Sequence, residues 1–150
     1  MSPPMRTVLY AFLLLASGTA SAGDCLIELK ADDAMKFDRS EVAVAASCKS
    51  IEIKLTHTGK LPVAAMGHNV VIAATADLQP IAQDGQKAGA AANYVAAGDK
   101  RVIAHTPLVG GGASTSATFA GSALKPGGDY TFFCSFPGHW AIMKGKLSVK

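Results

Sequence analysis

Apolar and polar positions alternate with a period of two in several short runs beyond residue 25. Ile51, Ile53 and Leu55 alternate with Glu52, Lys54 and Thr56, the clearest half-buried strand in the sequence. Alternation recurs in Glu41–Ala45, Ser114–Phe119 and Lys144–Lys150, and strand-forming composition between turn residues predicts further strands over Leu26–Lys30, Val102–His105 and Asp129–Cys134. Asn69–Ala73 is apolar and β-branched without alternation, as expected of a strand covered on both faces. Gly59–Lys60–Leu61–Pro62, Gly110–Gly111–Gly112 and Lys125–Pro126–Gly127–Gly128 punctuate these runs as turns. Short strands at regular spacing predict an all-β protein, an antiparallel sandwich of two sheets. Residues 76–97 break the pattern. They are rich in Ala, Gly and Gln, and predict an insertion with one short helix around Gln86–Val95.

The first 22 residues read as a secretory signal peptide. Arg6 lies in a short leading segment, Thr7–Ala16 is an apolar run too short for a comfortable membrane span, and Ala20–Ser21–Ala22 is a cleavage pattern. The remaining domain, residues 23–150, is long enough for one core and has no second apolar segment able to cross a membrane. Export implies an oxidising compartment and an odd cysteine count implies an unpaired thiol. Cys25 and Cys48 both lie early, away from any His or Met cluster, and are paired with each other; Cys134 is left free. The net charge of +3 comes without basic runs interleaved with aromatics, so nucleic acid is not an expected partner.

Chemistry concentrates in Cys134–Met143. A thiol, an imidazole (His139) and a thioether (Met143) stand within ten residues, and Pro137–Gly138 folds the segment back on itself. Thiolate, imidazole and thioether together suit copper. A second imidazole is needed. His68 lies at the boundary between a loop and the Asn69–Ala73 strand, and in a sandwich loops from distant strands gather at one end. The expected ligand set is His68, Cys134 and His139, with Met143 as a weak axial ligand and the Gly67 carbonyl on the opposite side. Two rival chemistries use the same residues. A catalytic cysteine would need a group to orient His139, and none is evident. Zinc would accept the His and Cys ligands, but Met suits it poorly. Gly110–Gly112 lacks the Lys-Ser/Thr that a phosphate loop requires.

Several segments together resemble the azurins, blue copper proteins of the cupredoxin family. They are Met66–Gly67–His68–Asn69, Arg101–Val102–Ile103–Ala104–His105–Thr106, Phe132–Phe133–Cys134, Phe136–Pro137–Gly138–His139 and Met143–Lys144–Gly145. The resemblance covers essentially the whole chain after residue 22. It implies a Greek-key sandwich with a helical flap, a Cys25–Cys48 disulfide, one type 1 copper, and single-electron transfer in the periplasm without enzymatic activity. The implied partners are redox proteins such as c-type cytochromes or a periplasmic reductase. It further implies backbone N–H groups of Asn69 and Phe136 directed at the Cys134 sulfur. It places Met35, Leu61, Met66, Ala141 and Ile142 in an apolar patch beside His139. His57 is expected to be a satisfied structural histidine near the metal, and His105 an exposed one. Two positions depart from the family: Val70 stands where a buried Trp is frequent, and Trp140 where a small residue is usual. Trp140 either packs the ligand loop locally or joins the partner patch. A copper storage or delivery protein is the alternative function, though Met- and His-rich tracts are lacking. A multicopper enzyme domain would need further His clusters.

Overall fold

The computed structural model describes residues 22–150; the leader expected over residues 1–22 lies outside the described residues but for Ala22. Eight strands follow in order: β1 (Leu26–Ala31), β2 (Glu41–Val44), β3 (Ser50–His57), β4 (Val71–Ala74), β5 (Val102–His105), β6 (Ser114–Ala120), β7 (Tyr130–Phe133) and β8 (Lys144–Val149). Alternation sets their orientation. β3 buries Ile51, Ile53, Leu55 and His57 and exposes Lys54 and Thr56.

The strands form two sheets, β1-β3-β6 and β2-β8-β7-β4-β5. Pairing is antiparallel between β3 and β6, β4 and β5, β4 and β7, and β7 and β8. It is parallel between β1 and β3 and between β2 and β8, so both sheets are mixed rather than purely antiparallel. Alternation reports which face is buried and carries no information on strand direction. The chain changes sheet between β1 and β2, and each then lies beside a strand running the same way.

Ile27, Leu29, Ile51, Ile53, Leu55, Val70, Ile72, Phe132 and Leu147 fill the space between the sheets. Each such side chain contributes about 1.5–3 kcal/mol relative to an exposed one. The unalternating strand is covered on both faces, as its sequence requires: Val71, Ala73 and Phe133 face a second, smaller cluster. Of the two α-helices among the described residues, α1 (Val63–Met66) is a single turn and α2 (Leu78–Ala88) covers this second cluster with Leu78, Ile81 and Ala82.

The helix of the insertion therefore starts and ends earlier than the expected Gln86–Val95. Leu78, Ile81, Ala82 and Gly85 form its buried stripe. Pro80, which discourages a helix assignment, falls in the first turn, where no backbone N–H is required. Gly89 ends the helix at φ 83°. Gly85 is needed by close approach, because a Cβ there would collide with the Tyr94 carbonyl. The Cys25–Cys48 disulfide joins the residue before β1 to the turn before β3, closing a segment that carries β1 and β2, with Cα atoms 5.6 Å apart. On loop-closure entropy it stabilises the fold by about 3 kcal/mol.

Candidate metal centre

β4 and β7 are antiparallel neighbours, with Val71 opposite Phe133. The residues just before β4 and just after β7 therefore leave the sheet at the same end. That pairing brings His68, three positions before Val71, beside Cys134, which directly follows Phe133. A turn then returns the chain to β8. Gly138 adopts φ 84°, a left-handed conformation that favours glycine. The turn is tied across its base by Cys134 N–H to the Met143 carbonyl (3.0 Å) and Met143 N–H to the His139 carbonyl (2.8 Å). His139 N–H to Phe136 O (3.0 Å) tightens it further.

The Cys134 Sγ lies 3.8 Å from His68 Nδ1 and 3.7 Å from His139 Nδ1, and the three donor atoms are all within 4.8 Å of one another. Thiolate and imidazole bonds to a first-row metal of about 2.3 and 2.0 Å, at a trigonal angle, span about 3.7 Å between sulfur and nitrogen. Both sulfur–nitrogen separations thus fit one such ion. The Gly67 carbonyl is 3.9 Å from Cys134 Sγ. Met143 is buried on the β8 side of the same loop, at 1% exposure. His68, Cys134 and His139 are buried as well.

The His68 tautomer suits this role. Nε2 of His68 donates to the Asp32 carbonyl (2.7 Å), which leaves Nδ1 with its lone pair toward the sulfur. Burial, opposed by that hydrogen bond, holds the His68 imidazole below its ordinary range. Burial, and then the neighbouring His68, lower His139 from 6.5 to about 4. Burial pushes the Cys134 thiol up to about 11, although the backbone N–H groups of Asn69 and Phe136 point at the sulfur and favour its thiolate. At neutral pH the metal-free centre is two neutral imidazoles and one thiol. A metal must displace the thiol proton on entry.

His57 stacks on His68 with ring centroids 4.4 Å apart. Its Nε2 donates to the Met66 carbonyl (2.8 Å) and its Nδ1 accepts from Gly59 N–H (3.1 Å), so both nitrogens are occupied and neither serves as a ligand. His105, expected to be exposed, is half-buried on β5, with its Nδ1 3.1 Å from the Thr106 carbonyl.

Around the centre, Leu61, Val63 and Ile142 are the exposed large apolar residues among those described, at 41, 44 and 62%. Ala141 is exposed beside Ile142, and Met35 and Met66 are half-buried. Val63 lies over Gly67, where an added Cβ would meet Val63 and Phe136. The Phe136 ring is in turn 4.6 Å from that of His139. Asp33 holds the patch edge in place by accepting from Lys60 N–H (2.8 Å) and Leu61 N–H (3.3 Å). Trp140 is half-buried and packs against the cluster of Val71, Ala73 and Phe133 beneath α2, so local packing accounts for its contacts.

Sequence reasoning missed Val63, Asp33, Ser135 and Asn93. The last two complete a buried network. Asn69 Oδ1 accepts from Ser135 N–H (2.9 Å), while its Nδ2 donates to Ser135 Oγ (2.8 Å) and to the Asn93 carbonyl (2.9 Å). A Ser after the cysteine and an Asn after the histidine were the available signals; Asn93 offered none.

The depressed histidines make the metal-free protein acid-sensitive. His139 binds its proton near 6.5 when unfolded and near 4 when folded, so its contribution is complete above 6.5 and is lost as pH falls toward 4. Denaturant midpoints of the metal-free protein are expected to decline over that window, and His139→Gln is expected to flatten the decline. An unchanged slope in His139→Gln would contradict this assignment.

Comparison with known proteins agrees with the geometry. Residues 23–150 match the model of the family described as copper binding proteins, plastocyanin/azurin family. The chain is 53% identical over 125 residues to an azurin of Alcaligenes faecalis, covering 83% of this chain and 98% of that protein. It is 47% identical over 146 residues to an azurin of Bordetella pertussis, covering 96% and 97%. Among solved structures, an azurin (Az-iso2) from the obligate methylotroph Methylomonas sp. strain J superposes with a TM-score of 0.81 at 43% identity, covering 84% of this chain and 98% of that one. With a buried thiol and two imidazoles held at one end of a two-sheet β fold, the chain belongs to the plastocyanin/azurin family of copper-binding proteins, on the azurin side of it.

Proposed function

We propose that residues 23–150 form an exported, periplasmic carrier of single electrons, and that residues 1–22 are its signal peptide. The observation that carries this reading is the convergence of Cys134 Sγ and two neutral Nδ1 atoms in a buried cluster beside an exposed apolar patch. No helix among the described residues is long and apolar enough to cross a membrane.

His68, Cys134 and His139 would hold copper, with the Met143 thioether and the Gly67 carbonyl as further, weaker donors. Bound copper would supply a one-electron couple. The polypeptide's own task is to keep the donors still. Asp32 fixes the His68 ring, and the Asn69 and Phe136 N–H groups stabilise negative charge on sulfur. Burial of all three donors excludes water and limits the rearrangement that a change of charge would otherwise provoke. A carrier also needs brief contact with its partners. Leu61, Val63, Ala141 and Ile142 offer an apolar surface without a charged side chain among them. Such contact suits transient docking with a c-type cytochrome or a periplasmic reductase. Catalysis by the free thiol fits poorly, because the thiol is protonated and buried at neutral pH.

Adding copper(II) to the purified protein is expected to give an intense thiolate-to-copper absorption band, absent in Cys134→Ser. A protein that stays colourless with copper would overturn the copper reading. Ile142→Lys is expected to keep the band but slow electron exchange with a c-type cytochrome roughly tenfold or more, since a charge in an apolar contact costs a kcal/mol or more. A copper protein that exchanges electrons slowly in its unaltered form would instead be a storage or delivery protein.

A further inference from the structure

The flap meets the ligand-bearing segments through Asn93–Tyr94. Both residues are left-handed, at φ 56° and 53°, a conformation rarely adopted by consecutive non-glycine residues. It persists where the surroundings over-determine it. Here the surroundings are the ligand-bearing segments. The Asn93 carbonyl accepts from Asn69 Nδ2 (2.9 Å) and from Ser135 Oγ (3.4 Å). Its side-chain Oδ1 accepts from Leu108 N–H (3.0 Å). The next residue, Val109, exchanges both of its backbone hydrogen bonds with His68, at 3.0 and 2.9 Å. The Tyr94 ring stands edge-on to Phe136, with centroids 5.3 Å apart, and Phe136 in turn contacts His139.

We propose that Asn93 is a positioning residue: from the tip of the flap it holds the segments that carry His68 and Cys134, together with the 106–109 strap that braces His68, in the register the centre requires. Its two oxygens serve different segments. The carbonyl holds Asn69 and Ser135, the residues adjoining His68 and Cys134. The side chain holds Leu108, and through Val109 the His68 backbone. Neither oxygen touches a ligand atom, so Asn93 acts only through these neighbours. A left-handed residue that also needs a side-chain acceptor is well served by asparagine. Glycine would keep the conformation and lose the acceptor, whereas aspartate would keep both. The inference rests on the copper reading for its functional consequence, but its structural half is independent of metal.

The test uses the full domain, metal-free and loaded with copper(II). In metal-free Asn93→Gly, amide hydrogen exchange at Leu108, Val109 and His68 is expected to rise. Copper(II) affinity is expected to fall roughly tenfold or more, as when other partners of metal ligands are removed. Asn93→Asp is expected to restore most of both. Ile81→Val loosens the flap's apolar seat without touching an Asn93 hydrogen bond, and is expected to leave both near the unaltered protein. The proposal is overturned if Asn93→Gly leaves exchange or affinity unchanged, if Asn93→Asp fails to rescue, or if Ile81→Val reproduces the loss. A colourless unaltered protein would instead defeat the copper reading, while the exchange data would still decide on Asn93.

Discussion

The antiparallel pairing of β4 with β7 is the constraint on which the centre depends. It places the end of one strand beside the start of the other, and so joins two ligand segments that are distant in sequence. Both strands are covered on two faces, by the inner core and by α2, which leaves them little freedom to slide. A slip of one residue would turn Phe132 and Phe133 onto each other's faces and separate Cys134 from His68. The Asn69–Ser135 hydrogen bonds then lock the two segments directly beyond the last paired residues. The sandwich is thus less a container for the centre than a device for fixing one register.

Electrostatics follow from that placement. Burying an imidazole or a thiol disfavours its charged form, and the fold accepts this by keeping His68, His139 and Cys134 neutral without metal. Every buried side-chain polar atom among the described residues nevertheless has a partner. The ring nitrogens of His68 and His57 not aimed at the sulfur have backbone partners: the Asp32 carbonyl for His68, and the Met66 carbonyl and Gly59 N–H for His57. The Asp32 carbonyl thereby chooses the His68 tautomer and leaves its Nδ1 as a donor facing the thiol. The centre is built by backbone carbonyls as much as by its own side chains.

Much of this was legible in the sequence because it rests on periodicity and on ligand chemistry. The alternation of Ile51, Ile53 and Leu55 reports β3 and its buried face, and the continuous apolar run reports that β4 is covered twice. Cys134, His139 and Met143 announce themselves by spacing, and His68 by standing at the head of a strand in a fold whose loops gather at the ends. Strand direction was not legible, because burial is the same for parallel and antiparallel neighbours. The extent of α2 was obscured by Pro80 and by an Ala- and Gln-rich composition, since its buried stripe is completed by contacts with β4 and β7. Asn93 and Asp33 act through hydrogen bonds to groups distant in sequence, for which a single chain carries no signal.

The central claim is that the ligand cluster is assembled by the polypeptide before any metal enters. A crystal structure of the metal-free protein tests it most directly. Cys134 Sγ and the Nδ1 atoms of His68 and His139 are expected to remain within 4.8 Å of one another there, with the Asn69–Ser135 hydrogen bonds intact. Ligand loops that stand apart without metal, and close only when copper is added, would contradict it.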